Sequence, residues 1–272
     1  MTSKYLISLL FLGFLIKNSF ALALLDYDLE RIELNSGQKH AMLTVTNSGD
    51  NSGIYLVNYL ATKMTEDGKI KVVGEKYGYL SDEIIKVSPR KFFLNAGQSR
   101  KIRVFAKNPK AFSGPEYRTN LKILLKSNLD EKALKAIKDT EEVKLSDFKN
   151  VNTDFAVAIP VFYHKDVPYN KISITNATIK LQEDGKYKIS FWLEREGNSS
   201  VIGTIKIVKK LGANESELLT KHKKAIYHPN KLRKFTFEIA AEENLESGTM
   251  LEIIYFNDEK LMAREELFIG SF

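Results

Sequence analysis

The chain has 272 residues and 43% hydrophobic content, enough to bury the cores of one large or two ordinary domains. The absence of cysteine excludes a disulfide framework, a thiolate zinc site and a cysteine nucleophile. The net charge of +7 comes from 41 basic residues scattered among 34 acidic ones rather than from a basic arm, which argues against nucleic acid as a partner.

The N-terminal segment has the parts of a secretory signal peptide. Lys4 precedes an apolar run over residues 5–16, and small residues follow in "NSFALA". The run is about a dozen residues long, shorter than the roughly 20 that a membrane-spanning helix needs, and Lys17 interrupts it. We expect residues 1–21 to be a signal peptide cleaved after Ala21, with an uncleaved anchor as the alternative. No later segment predicts stable membrane insertion.

Short alternating segments follow, separated by turn residues. "RIELNSGQKHAMLTVTN" predicts two strands around a Ser-Gly turn, "GIYLVNYL" a third, and "EDG" another turn. "IIKVSPRKFFLNAGQSRKIRVFAK" predicts two short strands joined at "NAGQS". In "EYRTNLKILLKS" the alternating positions are Tyr117, Thr119, Leu121, Ile123 and Leu125. Short strands at this spacing predict an all-β sandwich rather than a βαβ fold.

A charged segment interrupts the strands at residues 129–149. It has several apolar residues at helical spacing but no Gly or Pro, and we expect a long surface loop that is partly helical or disordered. The strand "NTDFAVAIPVFYH" follows; it alternates in its first half and is apolar on both faces in its second.

The second half of the chain repeats the strand pattern after the proline-containing hinge "HKDVPYN". Five alternating segments bounded by turn residues predict a second β-sandwich. The expected domains are therefore residues 22–166 and 167–272.

No residue constellation predicts catalysis or metal binding. The four histidines fall in separate segments without metal-ligand spacing, and no nucleophile elbow or phosphate-binding loop follows a strand. We expect no catalytic residues, no metal and no cofactor, so an exported hydrolase is disfavoured.

Two arginines lie within strand-like runs, where an inward guanidinium would be costly without an anionic partner. They are Arg31 and Arg118. The alternative is that both point outward into solvent, and their positions in the sequence leave the two possibilities open.

The first half of the chain resembles the periplasmic pilus-assembly chaperones of the chaperone–usher pathway. The similar pieces are "RIELNSGQKHAMLTVTN", "VSPRKFFLNAGQSRKIRV", "PEYRTNLKIL" and "AIPVFYH", in the family's order behind a signal peptide. The resemblance implies two immunoglobulin-like sandwiches arranged as an L, whose cleft receives a pilus subunit. It also implies that the chaperone lends the last strand of its first domain to complete the subunit's sheet.

The resemblance implies roles for particular residues. The donor strand would be "VNTDFAVA" and its continuation, with the positions Val151, Thr153, Phe155, Val157 and Ile159. Arg31 is similar to the family's cleft arginine, which binds the subunit's C-terminal carboxylate, and Arg118 would share that role. Pro160 stands where the family usually has a second cation, a lysine, and His164 stands where it commonly has an arginine of an interdomain salt bridge.

The resemblance implies a non-enzymatic periplasmic chaperone whose partners are pilus or fimbrial subunits and an outer-membrane usher. The alternative is an exported two-domain β-sandwich that is itself structural or adhesive, because a fold alone does not specify a function.

Overall fold

A computed structural model of the chain describes residues 23–73, 84–107, 114–126, 155–212, 215–240 and 245–270. Its strands form two sandwiches, one before residue 165 and one after residue 169. The predicted signal peptide, the charged segment 129–149 and the donor positions Val151 and Thr153 lie outside the described residues. The boundary expected between residues 166 and 167 falls in the segment between the two sandwiches.

The first sandwich has two sheets and a separate hairpin. One sheet has the order β1-β3-β9-β7, comprising β1 (Asp26–Tyr27), β3 (His40–Thr46), β9 (Ser99–Ala106) and β7 (Ile85–Ser88). The other has the order β2-β11-β10-β4-β8, comprising β2 (Ile32–Asn35), β11 (Phe155–His164), β10 (Glu116–Lys126), β4 (Gly53–Leu60) and β8 (Lys91–Leu94). The hairpin is β5 (Thr62–Met64) with β6 (Ile70–Val72).

Alternation places the first core between these sheets. In β2, Ile32 and Leu34 are buried while Glu33 and Asn35 are exposed. In β9, likewise, Ile102 and Val104 are buried while Lys101 and Arg103 are exposed. Their buried side chains join those of β3, β4, β10 and β11 in one hydrophobic cluster.

The segment "IIKVSPRKFFL" departs from the sequence expectation, because it forms two strands where one was predicted. β7 ends at Ser88 and β8 begins at Lys91, and the two strands belong to different sheets. Pro89 lies between them, and proline has no backbone N–H to continue a ladder. The chain therefore crosses from one sheet to the other at this point.

The second sandwich is also built from two antiparallel sheets. One has the order β12-β13-β16, comprising β12 (Asn170–Leu181), β13 (Tyr187–Gly197) and β16 (Leu232–Ile239). The other has the order β15-β14-β17-β18, comprising β15 (Ser216–Ile226), β14 (Val201–Lys210), β17 (Met250–Asn257) and β18 (Lys260–Phe268). Phe191, Phe235 and Phe237 pack together in its core.

This architecture confirms the prediction of two immunoglobulin-like sandwiches. In the first domain, β1-β3-β9-β7 has the A-B-E-D order of immunoglobulin-like domains, and β4, β10 and β11 take the places of C, F and G in the facing sheet. Among the described residues, the structure contains no helical segment that could serve as a transmembrane span.

Candidate functional site

The last strand of the first domain has an unpaired half. β11 pairs with β10 along its whole length, from Phe155 opposite Leu125 to His164 opposite Glu116. On its other side it pairs with β2 only over residues 161–164, in parallel. Among the described residues, the edge of β11 over residues 155–160 is therefore free to pair with another strand.

The side chains of this free edge divide into exposed and buried positions. Phe155 is 47% exposed, and Ala156 and Ala158 are exposed on the opposite face. Val157 is partly buried and packs against the first core. A half-exposed phenylalanine on an open strand edge is the combination that proteins normally cover.

Ile159 does not match its predicted position in the donor set. Its side chain is 1% exposed and belongs to the core of its own domain, where it lies opposite the fully buried Leu121. Because Ile159 is already packed between the two sheets of its own domain, its side chain is unavailable to a partner.

The free edge ends at a cleft between the two domains. This cleft has a volume of about 410 Å³, and its lining includes Arg31 and Pro160 from the first domain and Lys223 and Arg233 from the second. β2 begins at Ile32, opposite Val161, so Arg31 lies where the free half of β11 meets the paired half. A strand that paired parallel to residues 155–160 would direct its C-terminal end at Arg31.

Arg31 is available for an anion at this position. Its side chain is 33% exposed, and its Nε forms an ion pair with Glu33 Oε1 at 2.8 Å. Glu33 is exposed to solvent, so this pair is easily exchanged for another carboxylate. Arginine is suited to the exchange because its planar fork binds a carboxylate through two hydrogen bonds.

A second ion pair joins the domains across the same cleft. Lys223 Nζ is 2.7 Å from Glu30 Oε2, and both side chains are largely exposed. The hydrogen bond and the charge of Lys223 lower the pKa of Glu30.

Arg118, the other predicted anchor, is engaged elsewhere. Its Nη1 donates to Thr62 Oγ1 at 3.1 Å and its Nη2 to the Thr62 carbonyl at 2.9 Å. Its guanidinium lies 4.3 Å from the centre of the Tyr227 ring in the second domain. Burial lowers the pKa of Arg118. In this structure Arg118 links the two domains, and its predicted share in carboxylate binding stays a prediction.

The domains also meet at a buried carboxylate. Glu116 is 5% exposed and accepts hydrogen bonds from the Ser200 backbone N–H, at 2.6 Å, and from the Ser200 hydroxyl. His164 Nδ1 lies 3.6 Å from Glu116 Oε2. The backbone N–H of His228 donates to the Ser200 hydroxyl oxygen at 2.9 Å. His164 occupies the position at which the family commonly has an arginine of an interdomain salt bridge. Here the two domains are joined at this position by a hydrogen-bonded network centred on Glu116 and Ser200.

Several of these residues were not identified from the sequence, namely Glu116, Ser200, Lys223, Tyr227 and Arg233. Arg233 is the one residue of this set that the sequence pattern could have identified. In "LRKFTFEI" it lies on the same inward face as Phe235 and Phe237, where an arginine is unexpected. The others have no local pattern that separates them from ordinary surface residues. In the described ranges, no group of three or more His, Cys, Asp or Glu could hold a metal ion.

No family model matches the chain, and no curated protein matches it. Solved structures do match. The YadV chaperone matches over 89% of this chain and 99% of its own, with 11% identity and a TM-score of 0.47. The Class 5 fimbriae chaperone CfaA matches over 91% and 100%, with 13% identity and a TM-score of 0.45. The Salmonella enterica complex of SafA pilin with the SafB chaperone matches over 91% and 97%, with 11% identity and a TM-score of 0.45.

Proposed function

We propose that this protein is a periplasmic chaperone that binds pilus or fimbrial subunits by lending them a β-strand, and that it passes them to an outer-membrane usher. The observation that carries the proposal is the free edge of β11 over residues 155–160, which ends at Arg31 in the interdomain cleft.

The edge supplies what an incomplete immunoglobulin-like subunit lacks. Its free backbone groups hydrogen-bond to the subunit's unpaired strand, which would otherwise bury unsatisfied donors and acceptors. The half-exposed Phe155 is the side chain that a partner's open core would cover, whereas Val157 is partly buried against the chaperone's own first core. Val151 and Thr153, outside the described residues, extend the same alternation by sequence.

Arg31 sets the register and direction of the bound strand. A subunit strand that runs parallel to β11 ends beside Arg31, so its terminal carboxylate replaces Glu33 as the ion-pair partner. The carboxylate thereby selects one alignment of a strand that backbone pairing alone could hold in several registers. Export through the predicted signal peptide brings the chain to the compartment where such subunits are released.

The test is recovery of partners from periplasmic extracts of cells that make surface fibres. Tagged wild-type protein is compared with Phe155→Asp and with Leu218→Asp, a control on β15 where the side chain is 53% exposed. We expect small β-rich proteins to co-purify with the wild type and the control but not with Phe155→Asp, as identified by mass spectrometry. Recovery of the wild type alone, or of partners with Phe155→Asp, overturns the proposal.

A further inference from the structure

The interdomain cleft has an excess of positive charge that its acidic residues do not balance. Arg31, Lys223, Lys224 and Arg233 line it, whereas Glu30 is the acidic residue in that lining. Glu30 is already paired with Lys223. The cleft therefore has the composition of an anion site to which both domains contribute.

Arg233 is the cation whose position calls for an explanation. It lies on the inward face of β16, next to the core, and is partly buried. Its Nη1 donates to the Ala225 carbonyl, and its guanidinium carbon is 4.7 Å from the centre of the Phe235 ring. Its Nε is buried without a hydrogen-bond partner, and no ion pair between described residues includes Arg233. The charge of Asp67, in the turn of the β5–β6 hairpin, acts on Arg233 without forming an ion pair with it. A partly desolvated guanidinium that lacks an ion pair has capacity to bind a carboxylate.

The first domain holds this guanidinium in place. Gly68, in the turn of the β5–β6 hairpin, lies so close that a β-carbon at this position would collide with the Arg233 guanidinium. The same hairpin is fixed to the second domain by the Lys234 N–H, which donates to the Glu66 carbonyl at 2.9 Å. The Asn230 side chain adds a 3.0 Å hydrogen bond to the Met64 carbonyl. Arg233 is therefore preorganised by contacts from both domains, which lowers the entropic cost of binding through it.

We infer that Arg233 is the second cation of the carboxylate site, so that the C-terminal carboxylate of a bound strand is held between Arg31 of the first domain and Arg233 of the second. The inference rests on the proposed function. β11 offers no cation of its own in this cleft, because Pro160 is the residue that it contributes to the lining.

This arrangement makes the orientation of the domains part of the binding site. A carboxylate bound by Arg31 and Arg233 bridges the two sandwiches, so a bound strand also stabilises their relative position. Binding through one domain alone gives no such link.

The experiment measures binding of a short fluorescent peptide of alternating valine and threonine, prepared with a free C-terminal carboxylate and as the C-terminal amide. The ratio of the two dissociation constants defines the carboxylate preference of the full chain. For the wild type we expect a preference of about tenfold or more, the size of a charge-assisted hydrogen bond. Arg31→Gln and Arg233→Gln should each remove most of it.

Arg264→Gln is the matched control, because it also removes one arginine from the second domain. Arg264 lies on β18 with its side chain 64% exposed and paired with Glu252, and its loss should leave the preference unchanged. Arg233→Lys keeps the charge without the fork and should retain part of the preference. If Arg233→Gln fails to fold, Arg233→Lys tests whether residue 233 contributes to the carboxylate preference.

The outcomes separate the inference from the function on which it rests. A preference that is lost in Arg31→Gln and kept in Arg233→Gln overturns the role of Arg233 alone. If Arg233→Gln does not fold, a full wild-type carboxylate preference in Arg233→Lys shows that the planar guanidinium of Arg233 is not needed, which also contradicts the proposed role of Arg233. Failure of the wild type to bind either peptide, or equal binding of both, contradicts the proposed strand-binding and anchoring function itself.

Discussion

Single side chains at the domain junction experience two opposed effects, burial and neighbouring charge. For His228, burial is the larger effect and lowers the pKa of the imidazole, while the Glu116 carboxylate acts in the opposite direction. Its backbone N–H is bound to Ser200, so the ring is held close to the buried carboxylate. Protonation of His228 is therefore expected to affect the stability of the domain junction.

The lowered pKa of His228 predicts a loss of stability in mild acid. In the unfolded chain the imidazole binds a proton near its ordinary pKa of 6.5, whereas the folded one does so only at lower pH. The unfolded state thus binds more protons as the pH falls from 6.5 to the folded pKa, and stability decreases over that range. We expect the melting temperature to fall between pH 7.5 and pH 5.5.

His228→Gln should show a smaller fall than the wild type, because glutamine does not titrate. The matched control is His40→Gln, at an exposed position of β3, which should follow the wild type. Equal pH dependence in all three proteins would contradict the assignment to His228.

At the scale of elements, β11 changes role halfway along its length. Its first half begins with the half-exposed Phe155 and pairs with β10 alone. Its second half lies between β10 and β2, and Val161 there is completely buried. The alternation of side chains is the same in both halves. What differs is whether the facing sheet and β2 extend far enough to cover them.

Aspartate substitutions should separate the two halves of β11 in thermal or urea unfolding of the isolated protein. Phe155→Asp should cost less than about 1 kcal/mol, because the side chain is already half in solvent. Val161→Asp should cost about 4 kcal/mol or more, because it buries an unpaired charge. Val157→Asp should lie between them, since Val157 packs against the core. Equal losses at Phe155 and Val161 would make β11 an ordinary core strand.

The β5–β6 hairpin gives a second prediction at this scale. Gly68 has a φ of +80° and contacts Arg233, whereas Gly97 has a φ of +71° with nothing within 4 Å of its missing β-carbon. Both alanine variants incur the cost of a left-handed backbone, roughly 1 kcal/mol. Gly68→Ala should be the more destabilising of the two, because it also displaces the guanidinium. Equal melting temperatures would show that the hairpin does not hold Arg233.

At the scale of the whole molecule, the domains are joined by several separate contacts. Glu116 bonds to Ser200, Arg118 packs on Tyr227, and the β5–β6 hairpin bonds to the second domain. Of these contacts, Tyr227 and the β5–β6 hairpin also line the cleft. The relative position of the sandwiches is thus set by polar groups with specific geometry.

Loss of the Ser200 hydroxyl should loosen this junction. Ser200→Ala leaves the buried Glu116 carboxylate with one hydrogen bond fewer, a cost of about 1–3 kcal/mol. We expect a lower melting temperature and faster trypsin cleavage after Lys165, in the segment between the domains. Ser173→Ala, at an exposed position of β12, is the control and should behave as the wild type. Unchanged cleavage in Ser200→Ala would show that this contact does not restrain the domains.

Most of the strands could be predicted from the sequence, because alternation with a period of two is a local property of a strand. In the second domain, β15 and β18 were not among the five predicted segments. It predicted the two sandwiches, and the resemblance directed attention to Arg31 and β11. The strand β7 was missed because a proline between two short apolar runs does not show on which sheet each run lies.

Which parts of these strands form the candidate site depends on how the sheets pack against each other. Phe155 and Ile159 have the same place in the alternation, yet one is half exposed and the other is in the core, because the facing sheet covers only one of them. Lys223 and Glu30 are 193 positions apart in the chain and meet at 2.7 Å. Arg233 and Arg31 line one cleft because interdomain contacts, among them those of the β5–β6 hairpin, hold the two sandwiches together. Such contacts depend on how whole sheets pack, and no local sequence pattern encodes them.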